Sequence, residues 1–250
     1  MNTSVRDLSE NARIALLASR ELVESESCFV GIGIPADAAL IAKHSHAPNL
    51  NLIFESGVIG ANPQKPPLST GSPSVADGAL MIADGLSVFF ALQAGRIEVG
   101  LLSAAQVDRF GNLNSTVIGS YDAPKLRMVG SGGAHDIACL APRLIILMPH
   151  DPRRFVEKVD FVTSPGGGDC YAKERSRLKL GKGPVALITS RARFTMGRDG
   201  WVLDAPLSGF SIEEALEGIP WSPGLGTGQP IQITDEALTA LGGFAHLSSD

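Results

Sequence analysis

The sequence is poor in cysteine, in charge and in long apolar runs, and each shortage closes off a class of protein. Its three cysteines, Cys28, Cys139 and Cys170, are odd in number and nowhere spaced as CxxC. That pattern argues against a disulfide framework or a zinc site, so no metal is expected and a reducing cytoplasm is the expected compartment. Charged residues make up 19% of the chain, against about 25% in an average soluble domain. The balance is acidic, with a net charge of −5. It lacks the basic excess of a duplex-binding protein, so no nucleic acid partner is expected. No apolar run approaches the roughly 20 residues that cross a bilayer. The opening stretch carries Asp7 and Glu10 and has no clean apolar segment of the secretory kind. No membrane partner is expected either. Nucleotide signatures are also missing: there is no P-loop, and Gly31-Ile32-Gly33-Ile34-Pro35 lacks the last glycine of the dinucleotide fingerprint.

What is present is glycine, proline and alternating apolar segments. A chain of 250 residues makes one large domain or two small ones. No repeat, low-complexity tract or linker divides it, so a single domain over 1–250 is expected, with a core at 9–219 and a turn-rich, mobile tail at 220–250. Ser9 suits a helix N-cap, and Ile14, Leu17, Ala18 and Leu22 repeat at helical spacing, which predicts a helix over 9–24. Strands are predicted at 28–32, 50–54, 98–102, 125–129 and 143–148, and helices at 36–44, 84–94 and 134–140. Residues 63–74 and 106–120 read as loop and turn. Shorter β elements follow at 185–189, 192–196 and 200–203, then a capped helix at 211–216. The run Gly224-Leu225-Gly226-Thr227-Gly228 has no strand before it and reads as loop. Strands alternating with helices give an α/β fold, an open and mostly parallel sheet flanked by helices, with a β-richer C-terminal part. The sparse charge fits either an obligate partner, since interface cores are depleted in Lys, Glu and Asp, or an apolar α/β core with a bland surface.

Ligands of open parallel sheets bind at the carboxyl ends of the strands. Three glycine-bearing segments fall there: 31–35, 55–57 and 130–133. Glu55 stands out, because it follows Leu52-Ile53-Phe54 and precedes Ser56-Gly57. A partly desolvated carboxylate in that position serves as a nucleophile or a base, or as an ion-paired structural glutamate at the sheet rim. The absence of GxSxG gives Ser56 no hydrolase elbow.

Five motifs in order, GIGIP at 31–35, ESGVIG at 55–60, AQVDRFGNLNST at 105–116, GSGGAHDIA at 130–138 and DFVTSPG at 160–166, carry a family resemblance. Together they resemble the β subunit of family I coenzyme A transferases, of the glutaconate CoA-transferase type. The likeness covers about residues 23–166 and continues more weakly to 219. It implies a CoA-transferase, NagB/RpiA-like fold and an active site shared with an α subunit. A CoA ester is then the substrate, and no cofactor is permanently bound. It also implies that Glu55 attacks the acyl-CoA and carries CoA as a thioester. Val30, Gly31, Gly33, Gly132 and Gly133 would supply the oxyanion and CoA contacts. Ser56, Gly57, Gln106, Asn112, Asn114 and His135 would position substrate. The chain departs from the family at Ser103-Ala104-Ala105-Gln106, where GGAQ is usual, and at Leu207-Ser208-Gly209-Phe210, where an LHPG-like motif is usual. Relatives without the glutamate act as CoA-ester hydrolases or ring-opening C–C hydrolases, which is the alternative activity. A non-catalytic CoA-ester or sugar-phosphate sensor is the third reading.

Other polar residues have blander readings. His44 and His46 are two apart and share no helix face. Cys28 and Cys139 sit among apolar residues and read as core, while Cys170 has no base beside it. Arg153, Arg154 and Lys158 suit CoA phosphates, a solvated helix face or a subunit contact.

Overall fold

The computed structural model describes residues 4–226 and 228–244. The end of the expected tail, and Thr227 in the glycine run, lie outside them. Five strands come first: β1 (Ser27–Val30), β2 (Asn51–Phe54), β3 (Val58–Ala61), β4 (Met81–Ile82) and β5 (Val99–Leu102). Four short ones follow, β6 (Gln106–Val107), β7 (Leu113–Asn114), β8 (Val117–Gly119) and β9 (Pro124–Arg127). The last are β10 (Arg143–Met148), β11 (Pro184–Thr189), β12 (Ala192–Met196), β13 (Trp201–Pro206) and β14 (Gly224–Leu225). Ten of these make one sheet in the order β14-β13-β12-β11-β10-β5-β1-β2-β3-β4. Its five central strands, β11 through β2, are all parallel. The margins turn antiparallel, through β3 and β4 on one side and β12 and β13 on the other, and β14 rejoins in parallel. The sequence of each region explains the change. Leu144, Ile145, Ile146, Leu147 and Met148 are all buried, as in a strand covered on both faces. On β13 the buried residues Trp201, Leu203 and Ala205 alternate with half-buried ones.

The helices are α1 (Glu10–Ser19), α2 (Ile34–His44), α3 (Gly85–Gln93), α4 (Ala134–Leu140), α5 (Asp169–Leu178), α6 (Ile212–Leu216) and α7 (Asp235–Leu241). None of them is long and apolar enough to cross a membrane. Successive strand residues point to opposite faces, which splits the core in two. Cys28, Val30, Leu52, Phe54, Ile145 and Leu147 pack with α1, α2 and α7. Phe29, Ile53, Leu144, Ile146 and Met148 pack with α3 and α4. Ser9 caps α1 as predicted, its side chain accepting from the Ala12 amide.

Several boundaries differ from the sequence expectation. β1 stops at Val30, because the chain must turn at Gly33, which takes φ +70° to open α2. Residues 58–61 and 81–82 add two strands to the sheet edge, and 106–119 holds three short strands in place of plain turns. Helix α5 has no apolar stripe to announce it: its one buried residue is Arg175. That guanidinium donates to the carbonyls of Ala138, Pro165, Gly166 and Gly181, so its burial is fully hydrogen-bonded. The tail is not only turns. α7 buries Ala237 and Leu241 one turn apart, and Phe244 follows them into the core. Gly224 and Leu225, expected as loop, pair with β13.

Candidate active site

Glu55 is the first residue after β2, at the carboxyl end of a central parallel strand. A tight turn follows it. The Gly57 amide donates to the Phe54 carbonyl at 3.0 Å, and the Ala83 amide donates to the Gly57 carbonyl at 2.8 Å. Gly57 has φ +105°, and a Cβ there would stand 2.1 Å from the Ala83 oxygen. A Cβ on Gly85 would stand 2.8 Å from the Glu55 carbonyl oxygen. The Glu55 turn therefore lies flat on the segment that leads into α3, at a spacing only glycines permit.

Above the turn is an open cleft of about 330 Å³. The ends of β1 and β5 form its base, with Phe29, Val30, Leu101 and Leu102. One wall is Gly31 and Ile32, the opposite wall is the 129–134 turn into α4, and Ser69 and Thr70 lean over from the 63–74 loop. The Glu55 carboxylate projects into this space, and among the described residues it takes no ion pair. Its Oε1 accepts a long hydrogen bond of 3.5 Å from the Thr70 hydroxyl. Its Oε2 lies 3.5 Å from where a Cβ on Gly133 would be, and that Cβ would also press to 2.6 Å from Phe89 Cζ. Gly130 and Gly132 take φ +86° and +47°, with nothing within 4 Å of their missing Cβ positions. No side chain therefore covers Gly130 or Gly132, although the Gly130 amide is engaged with the Ser115 carbonyl at 2.9 Å and Phe89 packs against Gly133. A carboxylate with no cation beside it among the described residues, at the edge of a partly apolar cleft, has the chemistry of a nucleophile toward a carbonyl.

The structure brings Glu55, Val30, Gly31, Gly132 and Gly133 to this one cleft. Gly33 does a different job: it precedes α2 and its carbonyl accepts from the Asp37 amide at 3.0 Å. Ser56 and Gly57 shape the Glu55 turn and do not line the cleft. The four expected positioning residues beyond it are engaged elsewhere. Gln106 accepts from Asn114 at 2.7 Å and donates to Asp160 at 3.0 Å. Asn112 donates to Asp108 at 2.9 Å and accepts from the Gly166 amide at 2.9 Å and the Tyr171 hydroxyl at 2.6 Å. Asn114 also donates to the Val117 carbonyl at 2.6 Å. His135 Nδ1 donates to the Thr163 carbonyl at 3.0 Å, which leaves Nε2 as the acceptor 3.5 Å from Cys139 Sγ. These side chains tie 105–117 to 160–166 and α4; Gln106, Asn112 and Asn114 are buried, while His135 is exposed.

The remaining candidates do not line the cleft. Arg153 pairs with Asp151 on the surface, and Arg154 donates to the Ala104 carbonyl at 3.0 Å. His44 packs against Phe244, and His46 Nε2 meets the Leu22 carbonyl. His150 is buried between the Thr189 hydroxyl and the Glu217 carbonyl, and burial lowers its pKa. Burial raises the Cys28 and Cys139 thiols, which keeps both protonated. Sequence reasoning missed Thr70. Its loop has the composition of a connector, and only the fold brings it over Glu55, fifteen residues back.

A family model described as Coenzyme A transferase matches residues 11–187. The B subunit of the 3-oxoadipate CoA-transferase of Pseudomonas knackmussii is 40% identical over 242 residues, covering 93% of each chain. The B subunit of the glutaconate CoA-transferase of Acidaminococcus fermentans is 32% identical over 241 residues, covering 91% of this chain and 88% of that one. The crystal structure of glutaconate CoA-transferase from the same organism superimposes with a TM-score of 0.83 at 29% identity, covering 96% and 93%. The chain belongs to the coenzyme A transferase family. Within it the similarity runs to the B subunits, and the chain is a CoA-transferase subunit of that kind. The fold alone extends further, to the decarboxylase AibA/AibB, at a TM-score of 0.79 and 21% identity over 95% of each chain.

Proposed function

We propose that this chain is the nucleophile-bearing B subunit of a two-subunit CoA transferase, and that it moves CoA from an acyl-CoA to a small carboxylic acid through a thioester on Glu55. The observation that carries the reading is the uncompensated Glu55 carboxylate, set at a strand end against the Gly130-to-Gly133 turn. The Glu55 carboxylate attacks the thioester carbonyl and expels the CoA thiolate, giving a mixed anhydride. The thiolate then attacks the Glu55 carbonyl, releasing the first acid and leaving glutamyl-CoA. The acceptor carboxylate repeats these steps in reverse. No oxidation or net proton transfer occurs, and the acyl activation is retained throughout, first as an anhydride and then as a thioester. Conservation requires a dry site, because water would hydrolyse either intermediate.

The cleft is open, so a partner must close it. An apolar surface borders it. Leu80, Met81, Ile82, Leu86 and Phe90 are all exposed between β4 and the middle of α3, and Val129 on the cleft wall is 97% exposed. Contiguous exposed apolar area of this kind marks a protein contact, and an A subunit is the occupant the named relatives suggest. The names of those relatives also make short dicarboxylic acids the first substrates to test.

The experiment is intact-mass spectrometry of the chain co-purified with its A subunit and treated with glutaconyl-CoA. A CoA adduct on Glu55 that disappears when 3-oxoadipate or glutaconate is added supports the reading. Free CoA accumulating without an acceptor or an adduct refutes transfer and favours hydrolysis.

A further inference from the structure

The two oxygens of Glu55 stand in different surroundings. Oε2 faces the glycine wall, where a Cβ on Gly133 would lie 3.5 Å away. Oε1 faces the half-buried Thr70, whose hydroxyl at 3.5 Å is its single hydrogen-bond donor among the described residues. Thr70 sits in a braced loop: the Gly71 amide donates to Ser69 Oγ at 3.2 Å, and the Ser72 amide donates to the Ser69 carbonyl at 3.0 Å. The hydroxyl is therefore presented by a local turn and not by a free strand of chain.

The reaction treats the two oxygens unequally. The one that attacks the acyl carbonyl becomes the bridge of the anhydride and departs with the released acid. The other stays on the side chain as the carbonyl oxygen. It takes negative charge each time a nucleophile adds to the Glu55 carbon. That second tetrahedral centre is at the enzyme's own carboxyl, away from the substrate carbonyl, and needs a donor of its own.

We propose that Thr70 is a catalytic residue, whose hydroxyl selects Oε1 as the retained oxygen and donates to it as it becomes the oxyanion of the Glu55-centred intermediate. In that step the CoA sulfur bonds to Glu55 Cδ, and the electron pair of the carbonyl moves to Oε1. The pair then returns, the bond from Cδ to Oε2 breaks, and the acid leaves as its carboxylate. Thr70 keeps its proton throughout. The hydrogen bond is long at 3.5 Å and is expected to shorten as charge builds on Oε1, as catalytic contacts do. The inference rests on Glu55 being the nucleophile.

The test uses the complete two-subunit complex with glutaconyl-CoA and no acceptor, quenched at intervals and read by intact mass. Thr70→Val removes the donor and keeps the shape. It is expected to slow the appearance of the Glu55–CoA adduct by about 100-fold, the effect of losing one oxyanion donor. KM for the acyl-CoA is expected to stay within about threefold, because the contact is made in the intermediate and not with bound substrate. Thr70→Ser is expected to recover most of the rate. Thr70→Ala serves where the valine complex does not assemble. Wild-type adduct kinetics in Thr70→Val or Thr70→Ala overturns the proposal. So does a raised KM with kcat unchanged, which is what a merely structural loop anchor would give. A wild-type complex that turns over without any adduct on Glu55 instead overturns the nucleophile assignment, a result distinguishable from the others because it does not involve Thr70.

Discussion

The helices on the two faces of the sheet differ in composition and, in the opposite sense, in burial. Helix α1 carries Glu10 and Arg13 and still buries seven of its ten residues. Helix α2 buries eight of eleven. Helix α3 is nearly all apolar and buries Val88 and Leu92, leaving Phe90 60% exposed. The chain closes its α1/α2 face itself, with α7 laid over those helices and Phe244 inserted beside His44. The α3/α4 face remains half-covered, and the Glu55 cleft opens beside it. Stability is concentrated where the chain covers its own core. The Glu55 cleft and the exposed apolar residues of α3 lie where it does not.

The comparison breaks if changes near the open cleft damage the fold more than they damage activity. Glu55→Gln is expected to reduce transfer by at least about a thousandfold, as loss of a nucleophile does. Its melting should match wild type within about 0.5 kcal/mol, because the side chain is exposed. Gly133→Ala is next. Its Cβ would meet Phe89 at 2.6 Å and approach Glu55 Oε2. A misplacement of that order is expected to lower kcat by about 100-fold, checked by steady-state assay of the assembled enzyme. On the closed face Leu40→Ala, at a fully buried site, should cost about 2–5 kcal/mol in denaturant unfolding and leave the Glu55 adduct chemistry of surviving protein intact. Phe90→Ser sharpens the contrast: stability of the lone chain stays within about 0.5 kcal/mol, while co-purification of the A subunit fails. The smallest effect is a pH slope. Burial holds His150 below its ordinary value of 6.5, so the folded chain keeps it neutral where the unfolded chain takes a proton. Stability is therefore fully present above pH 6.5 and declines as pH falls below it, until the folded form protonates too. His150→Asn should flatten that decline in thermal melts recorded from neutral to acid pH.

Legibility followed the same division. The central strands were visible because Leu52-Ile53-Phe54 and Leu144-to-Met148 are unbroken apolar runs, and α1 because Ser9 and the leucine spacing mark it. β4 was invisible because both its residues are exposed, so no burial pattern is written into them. α5 was invisible because an arginine is its buried residue. α7 had a legible signal in Thr234 as cap and in Ala237 and Leu241 one turn apart, but the glycines and prolines around it masked the pattern. At the cleft, Glu55 and the glycines were readable from their place after apolar runs. For Gln106, Asn112, Asn114 and His135 the sequence shows hydrogen-bonding capacity and not where the partner lies, and the fold supplies partners within the chain. Thr70 was not readable at all, because its neighbour in space belongs to another segment.

The exposed stretch from Leu80 to Phe90 also bears on timing. A two-residue edge strand, next to a helix with exposed apolar residues, is a template for pairing with any other chain that presents the same feature. The nearest such chain after synthesis is another copy still emerging or newly released. Each molecule thus has a limited interval in which the right surface must arrive before an identical one does. Its yield of useful enzyme then depends on the ratio and order in which the two subunits are made, as much as on how well either one folds.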